Sequence, residues 1–200
     1  MRLGKVGPIQ VFMGSLELDK IEQLHHEIEK GGHGFPNDCR ALHRVGIVVP
    51  FRDRDEHLRI LLNNLHSFLK KQKIDYMIII VEPIANQTFN RGKLMNVGLV
   101  EGLKLYPFDC FIFHDVDMLP EDDRNLLPYH SYFGGISAFT VQHLLTINGF
   151  SNDYWGWGGE DDDSYIRTLA AGLNITRYSK QIARYKMIKH ELDTMNPVNP

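Results

Sequence analysis

The chain is 200 residues long and 43% hydrophobic, enough for one globular domain with a core of its own. A formal net charge of -3 and an isoelectric point near 6.3 exclude the basic field that non-specific nucleic-acid binding needs. No apolar run reaches membrane-spanning length and no signal-peptide h-region opens the sequence, so no membrane segment is expected in this chain.

Residues 1 to 40 read as an irregular N-terminal segment, with one helical pattern from Leu16 to Lys30 and a glycine-rich break at Gly31, Gly32 and Gly34. The character changes at Arg44. Val45-Gly46-Ile47-Val48-Val49 is a continuous apolar run closed by Pro50, the pattern of a strand buried on both faces. Leu58, Leu61, Leu62, Leu65, Phe68 and Leu69 then keep helical spacing to about Lys73. Asp75 to Val81 reads as a second buried strand, Lys93 to Leu105 as a second helix and Phe108 to Val116 as a third strand. This alternation predicts a doubly wound α/β sheet. Two cysteines, Cys39 and Cys110, are too few for a disulfide framework, and the sequons at Asn86-Gln87-Thr88 and Asn174-Ile175-Thr176 lean toward a secretory lumen.

In open α/β sheets the ligand lies outside the carboxyl ends of the strands. That rule gathers Pro50 to Arg54, Glu82 to Arg91 and His114 to Asp117 around one crevice. Arg52, Arg54, Arg91 and Lys93 supply cationic donors for phosphate oxygens, and Phe51 and Phe89 offer rings for a base. Asp115 and Asp117 are spaced to put one carboxylate on a nucleotide and the other on a divalent cation, although solvated acidic loops produce the same triplet. Together these residues read as a nucleotide-diphosphate site.

The densest chemistry lies at Asn152 to Ser164, where Trp155 and Trp157 stand among glycines ahead of Glu160, Asp161, Asp162 and Asp163. Indoles stack on sugar faces, and carboxylates take protons or bind hydroxyls and cations. The same acids also suit the first turn of a helix running through Tyr165, Ile166 and Leu169, with the tryptophans in the core.

Val49-Pro50-Phe51-Arg52-Asp53-Arg54, Phe89-Asn90-Arg91-Gly92-Lys93, Asp115-Val116-Asp117, Tyr132-Phe133-Gly134-Gly135, Trp155 through Asp163 and Met187-Ile188-Lys189-His190, in this order, resemble the β-1,4-galactosyltransferase family. The resemblance implies a GT-A type fold over residues 41 to 200, with a mixed sheet and helices on both faces. It implies transfer of galactose from UDP-galactose to the 4-hydroxyl of N-acetylglucosamine, with inversion, in the Golgi lumen. It implies that Pro50, Phe51, Arg52, Arg54, Phe89, Arg91 and Val116 hold UDP, with Asp115 and Gly135 also in the donor site. Manganese falls to Asp117, Met187 and His190, donor-sugar choice to Tyr132 and the substrate cover to Trp157. Asp161 matches the catalytic base, with Glu160 and Asp162 on sugar hydroxyls. Only the resemblance puts Met187 in the metal set, since a thioether is a soft ligand.

Two departures from the family pattern stand out. The connection from Glu121 to Ser131 is short and lacks the cysteine that would pair with Cys110, and the upstream partner of Cys39 is missing. The chain therefore reads as a truncated or spliced form without the membrane anchor. A catalytically impaired UDP- or carbohydrate-binding fragment is the competing reading.

Overall fold

The computed structural model describes residues 7–122, 133–177, 184–191 and 196–199. In chain order its first half contains α1 (Leu18–Leu24), β1 (His33–Gly34), β2 (Arg44–Pro50), α2 (Asp55–Gln72), β3 (Asp75–Val81) and α3 (Arg91–Leu105). There follow β4 (Cys110–His114), β5 (Met118–Pro120), β6 (Ile136–Thr140), α4 (Val141–Thr146), α5 (Glu160–Ala170) and β7 (Tyr185–Met187).

The apolar run of β2 is buried on both faces because β2 is the centre of a five-stranded sheet of order β1-β3-β2-β4-β6. It pairs in parallel with β3 and β4, and the two edge strands, β1 and β6, run antiparallel. Successive residues of β2 feed two cores. Ile47 and Val49 meet Leu61 and Leu65 of α2 on one face, and Val48 meets Met95 and Leu99 of α3 on the other. The sheet is thus mixed, with helices on both faces. On its own side α3 lies very close to the strands. A Cβ on Gly98 would stand 2.3 Å from Val48 Cγ1, and one on Gly102 would stand 2.8 Å from Ile79 Cδ1.

The helical pattern expected from Leu16 to Lys30 is realised only over Leu18–Leu24. Leu18 and Leu24 are exposed and only Ile21 is buried, so little packing holds a longer helix. The chain instead turns back at Gly31 and Gly32, both with positive φ, and the Glu29 N–H donates to the His33 carbonyl. His33 and Gly34 then add β1 to the sheet opposite Met77 and Tyr76. Among the described residues Cys39 and Cys110 are free thiols.

Two buried histidines make stability depend on pH. His66, which hydrogen-bonds the Tyr76 hydroxyl at 2.9 Å, has its pKa lowered from 6.5 to about 4 by burial and then by His25. Burial lowers His114 to about 4 as well. A folded pKa below the unfolded one gives stability that is full above the unfolded value and is lost as pH falls through the folded one. Denaturant titrations should therefore lose about 1.4 kcal/mol per pH unit for each histidine between pH 6.5 and about 4. A flat profile across that window would mean that both rings are already protonated in the fold.

Candidate active site

β2, β3 and β4 run parallel, so their carboxyl ends lie together at one edge of the sheet. After β2 the chain reverses at Asp53, whose φ of 49° is a left-handed conformation that aspartate tolerates, and Arg52 and Arg54 flank that turn. Arg52 Nη1 donates to the Gln87 carbonyl at 2.7 Å, and its guanidinium lies 5.2 Å from the Phe89 ring centroid. These contacts tie the loop after β2 to the loop after β3. Pro50 is buried as the last residue of β2, opposite Val81. Phe51 departs from the expectation of a stacking ring. It is only 6% exposed and belongs to the core that includes Val116 and Ile188, which leaves Phe89 as the partly open ring.

Arg91 opens α3 because the Asn90 side chain caps that helix, accepting from the Lys93 N–H at 2.8 Å. Its Nε donates to Asp115 Oδ1 at 2.7 Å and its Nη1 to Glu160 Oε1 at 3.3 Å. One guanidinium thus joins α3, the end of β4 and the start of α5. Burial alone would lower the Arg91 pKa, but the Asp115 and Glu160 carboxylates outweigh it and raise it. Burial raises the Asp115 pKa, Arg91 restrains that rise, and Asp117 adds to it. The Gly135 carbonyl accepts from the Asp115 N–H at 2.9 Å and fixes the backbone there. Tyr132 lies outside the described residues.

A second cluster is built on Asp117. Its Oδ2 is 3.0 Å from His190 Nε2 and 3.5 Å from Arg54 Nη1. His190 Nδ1 lies 2.7 Å from the Glu191 carbonyl and 3.2 Å from Arg54 Nη2, so it can donate to the first or accept from the second, and the opposite role falls to Nε2. A proton on Nε2, or a cation in its place, joins the ring to the Asp117 carboxylate across 3.0 Å. Ligands at right angles, each about 2.1 Å from a small divalent ion, stand about 3 Å apart, so the pair fits such an ion. The strand β7 pairs antiparallel with β5, Met118 opposite Met187, and the Ile188 N–H donates to the Asp117 carbonyl at 2.8 Å. Among the described residues no three His, Cys, Asp or Glu side chains converge on a metal position. Met187, expected as the third ligand, is exposed and stands opposite Met118 on β5.

The acids do form the first turn of a helix, α5, yet they are not equivalent. Glu160 is turned inward to Arg91, and Asp163 pairs with Arg167 at 2.8 Å on the same helix. Asp162 is exposed, and Asp161 is half-buried with one oxygen accepting the Asp162 N–H at 3.0 Å. The tryptophans are not core residues, since Trp155 is exposed and Trp157 is 68% exposed. The backbone that presents them needs glycine. Gly156 has φ of 94°, and a Cβ there would stand 2.2 Å from the Pro197 carbonyl oxygen. Its N–H donates to the Phe89 carbonyl at 2.8 Å, and Trp157 bridges to the segment around Val198.

Sequence reasoning gave no role to His57, Asn90 or Asn96. Asn90 donates to the Asn152 carbonyl at 2.7 Å, and Asn96 bonds both backbone groups of Phe150, at 2.7 and 2.9 Å. These asparagines pin the approach to the acidic turn onto α3. His57 is in the first turn of α2, with its pKa lowered by burial and then by Arg54. The available signal was its place three residues after Arg54, in a motif already singled out.

Comparison with known proteins places this geometry. Residues 3–130 match the model of the N-terminal region of glycosyl transferase group 7, and residues 122–191 match the N-terminal domain of galactosyltransferase. β-1,4-Galactosyltransferase 1 of Mus musculus is 42% identical over 216 residues, covering 98% of this chain and 54% of the relative. β-1,4-Galactosyltransferase 3 of Homo sapiens is 42% identical over 217 residues, covering 98% and 55%. The chain spans about half the length of these relatives. Both alignments run longer than the chain itself, so the relatives carry residues it lacks within the matched span. The catalytic domain of Drosophila β-1,4-galactosyltransferase 7, solved with xylobiose, superposes with a TM-score of 0.68 at 32% identity, covering 74% of this chain and 72% of that one. A mutant of the same enzyme, solved with manganese, UDP-Gal and xylobiose, gives 0.66 at 31% identity with the same coverage. The architecture is the GT-A type, and the chain belongs to glycosyl transferase group 7, the family of these β-1,4-galactosyltransferases.

Proposed function

We propose that the protein is an inverting hexosyltransferase that moves galactose from UDP-galactose to the 4-hydroxyl of N-acetylglucosamine at the end of a glycoconjugate. The observation that carries this reading is the salt bridge of Arg91 to both Asp115 and Glu160. It sets the acids of α5 against the strand ends where a nucleotide diphosphate would lie. The Drosophila complex with manganese and UDP-Gal supports the donor and the metal, while its xylobiose leaves the acceptor to be tested here. The work place that fits the family and the two sequons is the Golgi lumen.

On this reading Arg52 and Arg54 bind the diphosphate and Phe89 receives the base, with Pro50, Phe51 and Val116, all buried, contributing to the UDP site as the resemblance implies. Mn²⁺ held by Asp117, His190 and Met187 supplies positive charge against the diphosphate. Tyr132 limits the room around the donor sugar, and exposed Trp157 covers the bound sugars. Glu160 and Asp162 bind sugar hydroxyls and fix the line of attack. Asp161 takes the proton of the attacking hydroxyl from the face opposite the departing UDP.

Steady-state transfer of labelled galactose to free N-acetylglucosamine, with Mn²⁺ and with chelator, tests this beside UDP affinity. Metal-dependent transfer is expected, together with a UDP affinity that falls at least tenfold, roughly 1.4 kcal/mol or more, in Asp117→Asn and in His190→Ala. UDP binding without transfer would leave a nucleotide- and sugar-binding fragment instead.

A further inference from the structure

Of the four acids that open α5, Asp163 alone is given no part in the transfer, and its partner leads to a joint at the far end of the helix. Asp163 Oδ2 lies 2.8 Å from Nε of Arg167, in the last turn of α5. Arg167 Nη1 donates to the Ile147 carbonyl at 2.7 Å and reaches the Asn148 and Gly149 carbonyls at 3.5 and 3.4 Å. These three carbonyls belong to the turn by which the chain leaves α4. The residue after them is gripped from α3. The Asn96 side chain accepts from the Phe150 N–H at 2.9 Å and donates to the Phe150 carbonyl at 2.7 Å, as a neighbouring strand would, and it also donates to Asn152 Oδ1 at 2.9 Å. The turn between the two grips is stiff. Asn148 and Gly149 both have left-handed backbones, and the buried Phe150 ring stands edge-on to Phe113 with centroids 4.8 Å apart.

We propose that Arg167 and Asn96 are positioning residues that hold the exit of α4 from opposite sides and so fix the direction of α5, and with it the aim of Asp161 and Asp162. The inference rests on the reading of those two acids as groups that act on the sugars. A helix held at one point can pivot there. Arg91 holds α5 at Glu160, and apolar packing adds little, because the buried face of the helix is Glu160, Ser164 and Thr168 while Ile166 and Leu169 are exposed. Among its apolar residues only Tyr165 meets the core, partly buried. Arg167 supplies a second point, seven residues or about 10 Å along the axis from Glu160. Asn96 ties that point to α3, the helix that also carries Arg91. Without either side chain the first anchor stays but α5 can turn about it, whereas catalytic groups have to keep within about 0.5 Å and 10–20° of their productive geometry. The residues assigned to UDP, Arg52, Arg54 and Phe89, stand on other elements and are spared.

Transfer of labelled galactose to free N-acetylglucosamine, divided by the number of UDP-binding sites counted by isothermal titration calorimetry with Mn²⁺, tests this directly. Counting turnover per UDP site removes the effect of unfolded protein, which is what a merely structural role would change. Arg167→Met and Asn96→Ala are each expected to lower kcat per site about 10- to 100-fold while UDP affinity stays within about threefold of the parental value. Because both side chains act through one turn, the double variant should be no slower than the slower single variant instead of showing the product of the two losses. Parental kcat per site in either single variant, or losses that multiply in the double variant, overturns the proposal. So does a UDP affinity that falls along with turnover, since the damage is then not confined to α5. Should a variant fail to fold, Asn96→Asp keeps the shape of the side chain but sets a carboxylate against the Phe150 carbonyl and Asn152 Oδ1, and parental kcat per site in that variant overturns the proposal too. A parent that binds UDP without any transfer overturns the transferase reading itself, and the positioning role with it.

Discussion

Asp161→Asn should lose turnover by at least about 10²- to 10⁴-fold, the usual contribution of a positioned base, while Mn²⁺-dependent UDP binding stays nearly unchanged. The geometry separates Asp161 from its neighbours. Glu160 already answers Arg91, Asp163 answers Arg167, and Asp162 points into open solvent. Asp161 is half-buried beside this network, with one oxygen engaged by its own helix and the other available to a sugar hydroxyl. Asparagine keeps the shape and the hydrogen bond from the Asp162 N–H but cannot accept a proton at neutral pH. A variant with near-parental turnover moves the base elsewhere, with Glu160 the first alternative. Loss of UDP affinity together with turnover would make Asp161 a structural acid.

Arg91→Met should be the most destabilising change at the site. The substitution keeps most of the side-chain length but strands two carboxylates, since Arg91 and Glu160 have side chains only 14% and 10% exposed. Removing one partner of such a buried network costs about 3–5 kcal/mol. For a chain of this size that lowers Tm by roughly 6 °C or more. Arg91→Lys should fall between parent and methionine, because an ammonium keeps the charge without the fork that reaches two acids at once. The sign of the pH effect is fixed by Asp115, whose folded pKa is raised by burial and restrained by Arg91. Without Arg91 it rises further, and a raised carboxyl pKa favours the folded state in acid and disfavours it as pH climbs through that value. The deficit of the variant relative to the parent should therefore be largest near neutrality and narrow as pH falls. Differential scanning calorimetry at several pH values decides it, and a deficit that grows in acid would contradict the account.

The central strand was plain in the sequence because burial on both faces leaves an unbroken apolar run, as in Val45 to Val49, whereas Tyr76 to Val81 is as apolar although Met77 and Ile79 are only partly buried and Ile80 is exposed. The strand-end rule set Arg52, Arg91, Asp115 and Asp117 at one edge of the sheet, where the parallel strands do end. The edges were not legible. β1 is only His33 and Gly34, joined by backbone hydrogen bonds that leave no side-chain period, and β5 and β7 are three residues each. The burial of the Phe51 ring escaped for a related reason. A phenylalanine after a strand looks the same whether it turns to the ligand or, as here, into the core with Ile188, far along the chain. The contact of Arg91 with Glu160 spans 69 positions, and no local pattern announces it.

The depth at which α3 lies on the sheet has a consequence for any survey of variants. Gly98 and Gly102 let the helix sit within touching distance of Val48 and Ile79, and Arg91 rides the same rod seven residues, about 10 Å, nearer its start. A single methyl at position 98 cannot be absorbed by β2, whose Val48 is completely enclosed, so the rod itself has to lift or tilt. The guanidinium at its tip then leaves the two acids it joins. A substitution on the far side of a helix, touching no ligand, would register in a binding assay as a weakened grip on the donor, and a map of donor-affinity defects would trace the back of α3 as well as the crevice.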